Sequence, residues 1–129
     1  MRPAQRYGQT QKETASRERL MVLLFEAALR HMRTGAAALE AGRAAEATFP
    51  LTRASDIVVE LHATLDTARA PELCRTLADV YQFVTGRLLQ ATLKHEARLA
   101  REAERAFAPL VEAFQGAVAQ VTQRPGAAP

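Results

Sequence analysis

Apolar side chains recur at steps of three and four residues through most of this chain, and that spacing is what most limits its fold. Side chains spaced in this way lie on one face of an α-helix, so each stripe predicts an amphipathic helix. Three such stripes follow one another along the sequence. They comprise Ala47, Leu51, Ala54, Val58, Leu61 and Leu65, then Leu73, Leu77, Val80, Val84, Leu88 and Ala91, and then Leu99, Ala103, Phe107, Leu110, Phe114, Ala117 and Val121.

A further helix is predicted upstream, and it is apolar on two faces. It is expected to begin after Ser16, a good N-cap, and to end near Glu40, before Gly42. A surface helix needs one apolar face, so the second face must meet another subunit, a tail or a ligand. The two faces consist of Leu20, Leu24, Ala27 and His31, and of Met21, Phe25, Ala28, Met32 and Leu39.

Proline residues indicate the bounds of the second and third helices. Pro50 lies near the start of the second helix, which is expected to end near Leu65. Either Thr48 caps that helix and Pro50 lies in its first turn, or the helix begins earlier and is kinked. Pro71 is a favoured first-turn residue, so the third helix is expected to begin there and to end near Lys94.

The fourth helix is expected to span about Glu96 to Thr122 and to be kinked or split at Pro109, whose ring removes one backbone hydrogen bond. Short connections between long helices imply antiparallel neighbours. The expected fold is therefore all-α, an antiparallel up-down four-helix bundle. Its organisation is a flexible N-terminal arm at residues 1–13, a bundle domain at 14–122, and a disordered Pro/Gly/Ala-rich tail at 123–129.

Charge and composition exclude several other classes of protein. β-branched residues are sparse, and no Val/Ile-rich run lies between turn signals, which argues against sheet folds. The net charge of +3 is carried entirely by residues 1–19, so the body of the chain does not resemble a nucleic-acid surface. The longest apolar run, Leu20–Phe25, is too short to span a bilayer, and the N-terminus lacks the apolar region of a secretory signal. With Cys74 as the single cysteine, these features favour a cytoplasmic protein without membrane insertion.

No residue pattern of catalysis or metal binding is present. Di-iron bundle enzymes need Glu-x-x-His pairs, and the sequence has none. His31, His62 and His95 fall on or near different predicted helices, so a shared metal is not expected. There is also no glycine-rich phosphate loop and no nucleophile elbow. We therefore expect neither an enzyme nor a cofactor, and interpret the chain as a binding protein.

Three strings of residues together resemble the FliS family of flagellar export chaperones. The first combines Tyr7, Thr14-Ala15-Ser16 and the run Leu20–Ala28. The second is Ala54–Asp66, similar to the A-x-D-I-I-x-E-L…L-D pattern of the family. The third is Tyr81–Ala91, similar to Y-x-[YF]-x-x-x-R-L-x-x-A. They occur in the order and at the separations of the family, over about residues 7–93.

This resemblance implies a non-enzymatic helical bundle that binds the C-terminal segment of flagellin in the cytoplasm. That segment is disordered alone and becomes partly helical as it wraps the chaperone. Bound in this way, it cannot polymerise prematurely and is kept ready for the flagellar export gate. The second apolar face of the first predicted helix, between Ser16 and Glu40, is compatible with such a helix-in-groove mode.

The resemblance and the apolar faces together predict a partner-binding site. Tyr7 is expected to fold back over the apolar groove near the first predicted helix when no client is bound. The alternative is a self-associating helical adaptor or structural bundle with a different client, whereas the chaperone is expected to be a monomer or weak dimer when free. The predicted partner-binding residues are Tyr7, Leu20, Leu23, Leu24, Ala27, Ile57, Leu61 and Tyr81.

Overall fold

The protein is a four-helix bundle. A computed structural model describes residues 3–123, with side chains for residues 12–14 and 16–120. Within those residues there are four helices and no strand. The helices are α1 (Pro3–Glu40), α2 (Ala44–Ala63), α3 (Pro71–Lys94) and α4 (Ala97–Gln123). The predicted all-α fold is confirmed, and the observed bounds of α3 are the predicted ones.

Each helix packs against two others, and the four contacts close a ring. Helix α1 contacts α2 and α4, and α3 contacts α2 and α4. The apolar stripes therefore meet along one central core, as expected for antiparallel neighbours joined by short loops. The largest fully buried side chains are Phe107, Met32, Leu51, Leu61, Leu88, Val58 and Val84.

Helix α1 begins at Pro3 and not after Ser16, so the predicted N-cap is wrong. Good helix formers such as Gln5 and Lys12 continue upstream of Ser16, and no proline follows Pro3 to end the helix. The hydrogen bond between Gln115 and Glu26 sets the register of α4 on α1 and places Gln123 opposite about residue 18. The N-terminal part of α1 therefore extends past the last described residue of α4.

The two internal prolines do not interrupt their helices. Pro50 lies inside α2, which begins at Ala44, so the earlier of its two predicted starts is the observed one. Helix α4 runs without a break through Pro109, so the predicted split there is wrong. Buried Phe107 and Val111 flank the exposed Pro109 on the core side, and their packing favours an unbroken helix here.

A chain of ion pairs joins α1 to α4 at the end of the bundle where α1 terminates. Arg101 bonds Glu40 at 2.6 Å and Glu104 at 2.7 Å, and Glu104 also bonds Arg33 at 2.8 Å. Partial burial acts to raise the pKa of Glu104, but the hydrogen bonds from Arg101 and Arg33 together outweigh it and lower that pKa. The pairs thus fix the register of α4 against α1 at this end.

The residue that follows α3 has a strained backbone, and replacing it should stabilise the protein. His95 has φ of 55° and ψ of 35°, a left-handed conformation that glycine adopts without strain. We expect His95→Gly to raise the free energy of unfolding by about 0.5–1 kcal/mol. The control, Gln82→Gly at an exposed position inside α3, should lower it by about 0.5 kcal/mol. Urea denaturation measures both, and a loss of stability in His95→Gly would contradict the prediction.

Candidate functional site

The other end of the bundle, where α2 turns into α3, holds an open apolar groove. Its volume is about 630 Å³, within the range of pockets that take organic ligands or groups of side chains. It lies between α1, α3 and α4 and is bounded by the α2–α3 loop. The residues that line it are Met21, Phe25, Thr64, Leu65, Asp66, Arg69, Ala70, Leu73, Cys74, Leu77, Tyr81, Leu110, Ala113, Phe114 and Ala117.

The α2–α3 loop is held in place by one carbonyl group. The carbonyl oxygen of Asp66 accepts hydrogen bonds from the backbone amides of Arg69 and Ala70, at 3.2 and 3.3 Å. The Cys74 thiol donates to the same oxygen at 3.3 Å. Cys74 is buried at the start of α3, so this bond ties the loop to the helix that forms one wall of the groove.

Aromatic rings form the inner wall of the groove. Phe25 of α1 stacks on two rings of α4, with centroid distances of 4.9 Å to Phe114 and 5.7 Å to Phe107. Phe107 is fully buried, whereas Phe114 is half-buried and lines the groove. The groove is thus continuous with the core, and its wall is a rigid aromatic surface on which an apolar side chain can pack.

Leu73 is the most informative side chain of the groove, because it belongs to the α3 stripe but is not covered. It is 59% exposed, although the sequence pattern groups it with buried Val84 and Leu88. On the α4 side, small residues such as Ala113 and Ala117 leave space where larger ones would close the bundle. The apolar stripes of α3 and α4 therefore continue past the core and form the groove.

Tyr81 lies at the inner end of the groove. It is 3% exposed, and its ring lies 5.8 Å from that of His62 on α2. Burial, with a smaller contribution from Cys74, raises the pKa of the Tyr81 phenol, so it is neutral at physiological pH. Tyr81 thus presents a neutral hydroxyl within an apolar surface.

Few of the residues that line the groove are charged. Asp66 and Arg69 are the only charged residues among those that line it, and both are exposed. Within the described residues, no cluster of His, Cys, Asp and Glu could hold a metal ion. The same part of the chain contains no helix long and apolar enough to cross a membrane. The chemistry that the groove offers is the burial of apolar side chains.

A second apolar pocket lies on the other side of α1. It has a volume of about 400 Å³ and lies between the middle of α1 and the C-terminal part of α4. Leu23 lines it and is 61% exposed, and Leu20 nearby in α1 is 55% exposed. The α1–α4 pair therefore separates two apolar surfaces. The residues that line the second pocket are Arg19, Val22, Leu23, Gln115, Val118 and Ala119.

The predicted partner-binding residues are distributed over three environments. Leu20 and Leu23 are exposed on α1, and Leu24 and Ala27 are half-buried against the core. Ile57 and Leu61 are buried in the core and do not line the groove, whereas Tyr81 does. The helical rise separates the backbone of Tyr7 from Met21 by about 21 Å, so the described backbone does not fold back over the groove. The Tyr7 side chain lies outside the described residues.

Comparison with known proteins supports the resemblance seen in the sequence. The family model for flagellar protein FliS matches residues 1–121. The flagellar secretion chaperone FliS of Bacillus subtilis (strain 168) is 28% identical over 116 residues, which are 90% of this chain and 86% of that protein. The flagellar secretion chaperone FliS of Salmonella typhimurium (strain LT2) is 29% identical over 103 residues, which are 79% and 76% of the two chains. The chain therefore belongs to the FliS family, a family of flagellar secretion chaperones and not of enzymes.

Proposed function

We propose that this protein is a cytoplasmic chaperone that binds the disordered C-terminal segment of flagellin in the apolar groove. Binding prevents premature polymerisation of flagellin and keeps it competent for export until it is handed to the export gate. The observation that carries the proposal is the 630 Å³ groove, an open apolar surface at one end of the bundle. Family membership supports the assignment of a flagellar client.

The form of the groove suits a helical client. Turns of an α-helix repeat every 5.4 Å or so, and an amphipathic helix presents apolar side chains to a groove at i, i+3, i+4 and i+7. The walls supplied by α1, α3 and α4 are apolar, and the aromatic inner wall gives such side chains a rigid surface. Ordering a disordered segment lowers the net affinity, and the large apolar area that it covers offsets this.

The second pocket extends the surface that the client can cover. The exposed Leu20 and Leu23 belong to the predicted binding residues and lie on α1, the helix that also supplies Met21 and Phe25 to the groove. A client that wraps around this part of α1 and α4 would cover both. Tyr7, Leu24 and Ala27 remain predicted contacts. Ile57 and Leu61 remain predicted site residues that, being buried, would support the surface from the core.

The exposed face of α1 also favours the alternative, a self-associating adaptor. Leu20 and Leu23 could pack against a second copy of the chain instead of a client. The two functions differ in the mass of the free protein. The chaperone is expected to be a monomer or weak dimer, whereas the adaptor would be a stable oligomer that Leu23→Asp dissociates.

Binding to a synthetic peptide of the flagellin C-terminal segment tests the proposal. We expect the purified chain to form a 1:1 complex with the peptide, measured by titration calorimetry and light scattering. A peptide of the same composition in scrambled order is the control, because it lacks the apolar periodicity that the groove requires. The chain should also slow seeded polymerisation of full-length flagellin. Equal binding of both peptides, or binding of neither, would overturn the proposal.

A further inference from the structure

Within the described residues, the hydroxyl of Tyr81 makes no hydrogen bond. The aromatic ring beside that of Tyr81 is His62 on α2, at a ring distance of 5.8 Å. The Cys74 thiol, on the same face of α3, is already bonded to the Asp66 carbonyl. No described residue therefore satisfies the hydrogen-bonding capacity of the Tyr81 hydroxyl.

The hydroxyl of Tyr81 is not fully enclosed by the protein. Among the described side chains, the only fully enclosed nitrogen or oxygen atom without a well-aligned hydrogen bond is Nε of Arg87, which is paired with the Glu102 carboxylate at 2.8 Å. The Tyr81 oxygen has no partner and is not in that class, so it keeps contact with solvent. The groove is the described cavity that Tyr81 lines, and water in it can satisfy the hydroxyl while the groove is empty.

An occupant of the groove removes that water, and the surrounding residues cannot replace it. The neighbours in the inner groove are carbon side chains such as Phe25, Leu77 and Phe114. The Cys74 thiol already donates to the carbonyl oxygen of Asp66, and no described residue bonds the Tyr81 hydroxyl. A purely apolar occupant would therefore leave a buried hydroxyl unsatisfied, which is unfavourable.

We propose that Tyr81 is a specificity-determining residue of the groove, and that its hydroxyl hydrogen-bonds a polar side chain within the otherwise apolar face of the client. The inference rests on the proposed function, because it assigns the contact to the flagellin segment. We assign the partner to a side chain because, away from the ends of a helical client, its backbone N–H and C=O groups are already bonded within its own helix. A groove that needs such a bond discriminates against apolar segments that lack it.

The variant Tyr81→Phe tests this, because it keeps the ring and removes only the hydroxyl. We expect it to bind the flagellin C-terminal peptide about threefold to tenfold more weakly, the range of a neutral hydrogen bond. The melting temperature of the free protein should stay the same or rise, since the hydroxyl makes no bond there. A structural role would give the reverse result, a lower melting temperature with unchanged affinity.

A second measurement identifies the partner group. Each polar residue of the peptide is replaced by alanine and titrated against the wild type and Tyr81→Phe. One replacement should weaken binding to the wild type but leave binding to the variant unchanged, which is the signature of a direct contact in a double-mutant cycle.

The outcomes separate this inference from the proposed function. If the wild type does not bind the peptide, both are overturned. If the wild type binds, Leu73→Glu abolishes binding and Tyr81→Phe binds equally well, the groove is the site but the inference is wrong. If no alanine replacement in the peptide couples to Tyr81→Phe, the inference is likewise overturned while the proposed function stands.

Discussion

Replacing Leu73 by glutamate is expected to weaken binding of the flagellin C-terminal peptide by about a hundredfold or more while the protein stays folded. Leu73 is 59% exposed, so the free protein loses little apolar burial and the carboxylate stays hydrated. When the client covers the groove, that carboxylate must be desolvated beside carbon side chains, which is unfavourable by several kcal/mol. Titration calorimetry measures the affinity, and circular dichroism during heating measures the stability.

The matched control is Leu93→Glu. Leu93 lies on the same helix and is 69% exposed, but it is not among the residues that line the groove. Twenty residues of helix separate it from Leu73, about 30 Å along the axis. The control should bind the peptide as the wild type does. If both variants lose affinity equally, the client does not select the groove, and if neither does, it binds elsewhere.

The helices could be predicted from the sequence because their determinants are local. The stripes of α2, α3 and α4 have helical periodicity, and Gly42 and Pro71 lie where the chain leaves or enters a helix. Gly42 has φ of 74°, which is the left-handed conformation expected for a glycine after a helix. Antiparallel packing then follows from short loops, which is why the bundle itself was predictable.

The position of the groove could not be predicted in the same way, because it depends on how far the four helices overlap. In the sequence, Leu73 and Leu88 belong to one stripe, yet the first is exposed and the second is buried. What differs is the number of neighbouring helices at each level of the bundle, which is a property of the tertiary register. The one available signal is length, since α3 and α4 have 24 and 27 residues and α2 has 20.

The start of α1 was misplaced for a related reason. A Thr-Ala-Ser string before an apolar run is a good local N-cap signal, but a cap does not prevent a helix from continuing upstream. The sequence pattern predicts two apolar faces on α1, and in the structure Leu20 and Leu23 are exposed on this helix. The motif that places Ile57 and Leu61 among the candidate contacts carries no information on burial, and both side chains are buried in the structure.

Replacing Gly35 by alanine should destabilise the protein by about 1–2 kcal/mol, although alanine is the better helix former. Gly35 is buried on α1 where it meets α2, and a Cβ atom there would lie next to Cγ and Cδ2 of Leu51, well inside contact distance. Leu51 is fully buried, so its side chain has no free space to move into. Overpacking of this kind typically costs about 1–3 kcal/mol, and the higher helix propensity of alanine than of glycine offsets up to about 1 kcal/mol of that cost.

Two other glycines provide matched controls. A Cβ atom at Gly86 of α3 or Gly116 of α4 would meet nothing within 4 Å. Gly86→Ala and Gly116→Ala should therefore each raise the free energy of unfolding, by about 0.5–1 kcal/mol. Urea denaturation should thus give a lower free energy of unfolding for Gly35→Ala and a higher one for the two controls. A stabilised Gly35→Ala would contradict the prediction and show that α1 and α2 can move apart. The double variant Gly35→Ala with Leu51→Ala should lose less free energy of unfolding than the two single variants lose together. The reason is that the added methyl then fills part of the space that the Leu51 side chain vacates.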